Sequence, residues 1–274
     1  MRKLLVKRLL SCFFLLLCNA LSYADGISVD AGLTPAQDRW ILRVQYRLIN
    51  MYNSGTETSV HSFPLVVVYG VTSNITLMMR QSYMIKNVIS NEKTSQNGLN
   101  DPYILIKIKA FRKNTSNYTF GIAPTIGTNI PVGNNQINNN IWSPKTGVNC
   151  SFRYRFWTSD LNVSYTFQDL TNTATKSYND IININSAFSR LFPFKNNTDI
   201  LISPVVEFSY LHEFNTVNTT GIFTAKKFFG SPGFKMVYSS FVFEALYQIP
   251  LYQNTSEAVM KSKRNFIIGI RYML

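Results

Sequence analysis

Basic side chains stand singly inside apolar runs at Arg43, Arg47, Arg80, Lys107, Lys109, Arg153, Arg155, Lys235 and Arg271, and two acidic ones, Glu207 and Glu244, stand in the same kind of setting. On a strand, side chains alternate between two faces, so each charge shares a face with polar neighbours while the flanking apolar residues point the other way. Turned toward water inside a pore, such cations set a positive potential that favours anions. Turned toward Glu207 and Glu244, they would instead pair and fill a structural interior.

Other chemistry is poorly supplied. The chain has two histidines, His61 and His212, and three cysteines. Neither histidine lies at ligand spacing from another soft ligand, so no metal or cofactor site is expected. A membrane-embedded hydrolase would need serine and histidine together, oriented by a polar third group. His61-Ser62 lies at a loop end before Phe63 and His212-Glu213 follows the ninth expected strand. Both read as exposed loop histidines, and no catalytic residues are assigned.

The elements that must position these charges follow from periodicity. Phe266, Ile268, Ile270, Tyr272 and Leu274 alternate with Ile267, Gly269, Arg271 and Met273 up to the last residue, the pattern of a final barrel strand recognised during outer-membrane assembly. Residues 1–24 read as a cleaved secretory signal peptide: Arg2, Lys3, Lys7 and Arg8 precede an apolar stretch, and Ser22-Tyr23-Ala24 offers a cut before Asp25. The mature domain is then 25–274. Cys12 and Cys18 leave with the leader, and Cys150 has no partner for an intrachain disulfide. The leader also removes four basic residues, leaving 23 against 14 acidic ones, a net of +9. These cations are spread along alternating strands rather than gathered in a patch, so nucleic acid is not expected as a partner.

The expected fold is all-β, a single antiparallel transmembrane β-barrel of about twelve strands with short periplasmic turns and longer extracellular loops. Strands are expected at Trp40 to Leu48, Phe63 to Val71, Ile75 to Met84, Tyr103 to Phe111, Tyr118 to Gly127, Gly147 to Phe156, Leu161 to Gln168, Ile181 to Leu191, Ile200 to Leu211, Phe228 to Val237, Phe241 to Ile249 and at the terminus. Long polar connections separate Leu48 from Phe63 and span Ile85 to Asp101 and Pro250 to Arg264, and the Asn-rich stretch Asn134 to Asn140 reads as a surface loop. A charge on the lipid face near the midplane costs roughly 2–4 kcal/mol, so the cations must point inward once the barrel is granted. A secreted β-sandwich also alternates, but it does not account for the terminal strand.

Short pieces of turn chemistry carry a family resemblance: Tyr69-Gly70-Val71-Thr72, Gly98-Leu99-Asn100-Asp101, Ile130-Pro131-Val132-Gly133, Pro232-Gly233 and Ile249-Pro250-Leu251-Tyr252. In this order they resemble the outer-membrane proteins named after the meta-pathway of phenol degradation. Pro102, beside the Gly-Leu-Asn-Asp piece, and the final Leu274 depart from that pattern. The resemblance implies a transport-related barrel and carries no catalytic residues. Together these readings lead to an expected outer-membrane, porin-like channel for small anionic or aromatic-acid solutes. Its partners would be outer-membrane lipid, the barrel-assembly machinery and the solute. The competing expectation is a non-conducting surface barrel with an adhesive or structural role.

Overall fold

The structure, a computed structural model, describes residues 26–274 apart from 91, 138–140, 168–179, 195–196, 215–223 and 258. The expected leader and its two cysteines lie outside the described residues, as do positions 138–140 of the Asn-rich stretch.

Period-two runs rich in aromatic and β-branched residues form strands throughout. In chain order they are β1 (Trp40–Asn53), β2 (Thr56–Gly70), β3 (Ile75–Ile89), β4 (Lys93–Leu99), β5 (Tyr103–Ile108), β6 (Phe111–Asn114), β7 (Tyr118–Asn129) and β8 (Lys145–Tyr154). There follow β9 (Trp157–Thr166), β10 (Ile181–Arg190), β11 (Phe192–Phe194), β12 (Asn197–Glu213), β13 (Ala225–Tyr238), β14 (Phe241–Thr255), β15 (Lys261–Ser262) and β16 (Asn265–Met273). Because β4–β6, β10–β11 and β15–β16 each continue along one line, the segments make twelve staves of a closed antiparallel barrel. The seam is ordinary pairing. β16 lies between β14 and β1, with Leu42 opposite Tyr272 and Arg43 opposite Arg271, and Trp40 and Leu274 exchange backbone bonds of 3.3 and 2.9 Å. Closure leaves no open edge, the condition for strands to cross a membrane.

The two faces of the wall are partitioned inversely to a soluble protein. Val44, Ile126, Phe188 and Ile270 are exposed on the outside, while Lys235, Glu207, Arg271 and Glu244 are 1–3% accessible within. An outer band of aliphatic side chains with charges folded inside is stable only if lipid covers the band. The fold and this partition are those of a bacterial outer-membrane barrel. Aromatic side chains cluster near the ends, with Trp40 stacked on Tyr69 at 4.3 Å and Phe241 against Tyr272 at 4.7 Å.

Three expected polar connections are shorter than the sequence pattern indicated. β1 and β2 run on to a turn at Ser54-Gly55, where φ is +42° and +85°. β3 continues to Ile89 and β4 starts at Lys93, and β14 extends to Thr255. Backbone pairing needs no apolar side chain, so beyond the lipid a hairpin continues with both faces polar. The end of the sixth expected strand, Gly147 to Phe156, also moves: β8 ends at Tyr154, and Arg155 with Phe156 forms the turn to β9.

Candidate functional site

Inside the barrel lies a length of chain that belongs to no strand. Ile27, Val29, Ala31 and Leu33 are all buried, and they run across the lumen from the wall at β10 and β12 to the wall at β7 and β8. Each end is fitted to small wall residues. A Cβ on Gly26 would meet Ala187 at 3.0 Å, and one on Gly32 would meet the Gly121 carbonyl at 2.7 Å.

Polar wall groups hold this segment mainly by its backbone. Glu207, flanked across the strands by Ala187 and Ser231, accepts the Ile27 amide at 2.5 Å and the Ser28 amide at 3.1 Å, and it also accepts from the Ser28 hydroxyl. Lys107 donates to the Ala31 carbonyl at 2.8 Å and Arg271 to the Gly26 carbonyl at 3.2 Å. Gly32 donates to Ser151 Oγ at 2.7 Å, and that hydroxyl in turn donates to Asp160 at 2.5 Å, the carboxylate that Arg153 engages at 2.8 Å. Only one side chain of the segment carries charge here. Asp30 lies in the field of Lys107, Lys145, Arg43 and Arg80: burial would raise its pKa, but these cations outweigh burial and leave it below the usual 3.8.

A second network lies in the wall and also reaches the segment, Arg43 and Gln45 each donating to the Ile27 carbonyl at 3.4 Å. Glu244 receives Arg271 at 3.1 Å, Arg43 at 3.4 Å and the Gln45 amide at 2.6 Å, and Gln45 passes the link on to Arg47 at 2.6 Å. Room for it comes from Gly269, where a Cβ would stand 2.7 Å from Gln45 Cγ and 3.1 Å from Glu244. Above these groups, toward the extracellular ends of the strands, opens a cavity of about 770 Å³ lined by Met51, Thr58, Gln253, Ser262 and Arg264 among others.

Seven of the eleven charged residues named from the sequence fall into three groups. Arg43, Arg47, Arg271 and Glu244 come together in one network, of which Arg43 and Arg271 also bond the crossing segment; Glu207 and Lys107 bind that segment too; Arg153 pairs with Asp160. Arg80 packs over the Tyr103 ring at 5.1 Å, facing inward. Lys235 is buried opposite Glu244 across the β13–β14 pair. Two do not join them. Arg155 was expected on the inner face beside Arg153, yet it is exposed in the turn after β8 with φ +51°, over the Tyr154 ring. Lys109 reaches only to the Ser73 carbonyl at the adjacent turn, at 2.6 Å. Of the histidines, His61 bonds the Tyr46 hydroxyl at 2.9 Å and His212 packs on Phe214 at 4.2 Å. Among the described residues, no three potential metal ligands cluster.

Sequence reasoning missed Asp30, Gln45, Lys145 and Asp160. Asp160 was legible: it continues the inner face of Asn162 and Ser164 by one step, but the strand was started at Leu161. The alternation of Ile27, Val29, Ala31 and Leu33 was also present, with nothing in the pattern to say that it would lie inside the barrel.

The short turn pieces have structural reasons. Gly70 is crossed by the segment entering the barrel, so that a Cβ there would meet the Ala36 carbonyl at 2.1 Å. Gly98-Leu99-Asn100-Asp101 and Ile130-Pro131-Val132-Gly133 meet: Asp101 accepts the Gly133 amide at 2.8 Å, and Asn134 donates to the Leu99 carbonyl at 2.9 Å.

No family model and no curated protein matches this chain. Solved structures do. The COG4313 outer membrane channel from Pseudomonas putida F1 superposes with a TM-score of 0.63 at 12% identity, covering 92% of this chain and 100% of that one. The beta domain of the Bordetella autotransporter BrkA gives 0.50 at 10% identity, covering 88% of this chain and 100% of that one. At such identities the likeness speaks for the barrel architecture.

Proposed function

We propose that this chain is a porin-like channel of the bacterial outer membrane, closed at rest by its own N-terminal segment, for small anionic solutes including aromatic acids. One observation carries the reading. The obstruction at mid-lumen is a length of chain tethered by hydrogen bonds to its backbone, beneath a cavity of about 770 Å³ that opens outward. A stopper of this kind can leave without unfolding the wall. The excess of inward cations supports anions as the permeant class. The similarity in fold to a solved outer membrane channel, and the resemblance to the phenol-degradation meta-pathway proteins, point the same way.

Removal of residues 1–24 would leave a terminus at Asp25, one residue ahead of the buried Gly26, so that processing and closure are linked. Phe266, Ile268, Ile270, Tyr272 and Leu274 would supply the signal read by the assembly machinery. A non-conducting barrel is the second reading, and it too has an observation in its favour: Arg43 and Arg271 are already paired with Glu244 rather than facing open water. Conductance in planar bilayers separates the two. The wild-type chain should open rarely, and a variant lacking 26–35, shown to be folded by its heat-modifiable mobility, should conduct steadily. A folded deletion variant with no conductance overturns the channel reading.

A further inference from the structure

The segment is fitted to the lumen by side-chain chemistry as well as by its backbone, and at one place this chemistry describes a ligand. Asp30 lines one gap together with Arg43, Lys107 and Arg271, and the fields of Arg80 and Lys145 also act on its carboxylate. Beside it, Leu33 and Pro35 pack toward an apolar strip of the wall made by Val66, Val68, Met78 and Leu105, and the residual gap between them is only about 50 Å³. The wall thus presents a cluster of cations next to an apolar shelf. The segment covers the first with a carboxylate and the second with aliphatic side chains. Thr76 lines the same gap, and its hydroxyl is buried at 1% exposure with no hydrogen-bond partner, a polar atom left unserved by the present occupant.

We propose that this patch is a binding site for a carboxylate borne on a compact apolar body, and that Asp30, Leu33 and Pro35 occupy it at rest as a tethered stand-in which the solute displaces. The tether makes the stand-in a strong competitor by effective concentration, yet a solute able to fill the shelf and reach Thr76 gains contacts that the segment lacks. Displacement removes the Asp30 anchor and leaves the backbone bonds to Lys107 and Ser151 to break in turn, so binding and opening are coupled through one set of contacts. The binding half stands independently of the channel reading; the opening half rests on it.

Benzoate is the probe, with benzyl alcohol and acetate as controls that each lack one half of the chemistry. Titrated calorimetrically into the folded full-length mature barrel in detergent, benzoate should bind weakly to wild type. It should bind about tenfold or more tightly to Asp30→Asn, and tighter still to the variant lacking 26–35, because an occupied site lowers apparent affinity by the fraction of time it is free. Neither control should match it. Arg43→Gln combined with Lys107→Gln in the Asp30→Asn background should remove the gain. In bilayers, benzoate at the same concentration should raise the open probability of wild type and leave the deletion variant's opening unchanged. Equal benzoate affinity in wild type, Asp30→Asn and the deletion variant would overturn the site, even if the deletion variant conducts. Tight benzoate binding to a deletion variant that never conducts would keep the site and reject the channel.

Discussion

Glu207 and Glu244 are both buried on the inner wall, and they are satisfied in opposite ways. Glu244 is held by Arg43, Gln45 and Arg271 from the neighbouring staves β1 and β16, so its partners are fixed as long as the barrel is closed. Glu207 takes the amides of Ile27 and Ser28 and the Ser28 hydroxyl, all from a segment that is not part of the wall. A buried carboxylate needs several donors wherever they come from. The difference shows that the lumen has one half whose carboxylate is held by the wall, though Arg43, Gln45 and Arg271 also donate to the segment's carbonyls, and another half whose carboxylate takes its hydrogen bonds from an insert that can leave.

The sharpest break in this comparison is at the wall network. Arg271→Gln would leave Glu244 short of its closest cation in a dry setting, and loss of one partner of a buried pair costs about 3–5 kcal/mol. The urea midpoint of the folded, heat-modifiable band should fall accordingly. Glu207→Ala should cost less, about 1–3 kcal/mol, because the freed amides of the segment can find water once it swings out. Similar losses in the two variants would erase the distinction between the two halves.

A kinetic version follows for the insert. In a Cys150→Ser background, Ala31→Cys should react slowly with a thiol reagent while the segment is seated. Adding Glu207→Ala should speed labelling by about tenfold, the equivalent of roughly 1.4 kcal/mol of lost anchoring. Glu244→Gln should change that rate less, since Glu244 reaches the segment only through Arg43, Gln45 and Arg271.

Two arginines two residues apart offer a smaller test. Arg153 pairs with Asp160 on the inner wall, whereas Arg155 is exposed in a turn. Arg153→Gln should move the reversal potential of the opened barrel toward the cation side in a dilute salt gradient, an effect that fades as screening shortens to about 3 Å at 1 M. Arg155→Gln should leave it in place. A shift from Arg155→Gln of the same size would mean that the turn, not the inner wall, sets selectivity.

The smallest expected effect is of pH. Asp30 has its pKa lowered in the seated state, so its anchoring is fully present above its free-state value near 3.8 and is lost as pH falls through the lowered value. Labelling of Ala31→Cys after acid pulses should therefore rise only below the usual carboxylate range, and Asp30→Asn should flatten that dependence. A rise already at pH 5–6 would assign the anchoring to another group.

Much of the fold was legible because lipid imposes a strict rule on a spanning strand: one face apolar, the other free to be polar. Phe266 to Leu274 and the Val148 to Tyr154 run obey it, and both are strands where the alternation put them. The rule lapses beyond the lipid. That is why Asn50 to Asn53, Thr56 to His61 and Leu251 to Thr255, where polar residues interrupt the alternation, were taken as loops and are strands. At the site, alternation assigned a face to Arg43, Arg153 and Arg271, but it could not tell which carboxylate each would meet.

By itself the sequence determined the class of barrel and which side chains of a strand point inward, because both depend on periodicity alone. Pairing partners, by contrast, depend on which staves become neighbours and on their register, and these bring Glu244 of β14 to Arg271 of β16, 27 residues further along, and to Arg43 of the distant first strand β1. The least legible feature is the segment from Gly26 to Pro35. Its alternation is that of any short strand, and only a closed wall with Glu207, Lys107 and Ser151 already in place supplies the donors and acceptors that make the lumen, rather than water, its lowest-energy surroundings.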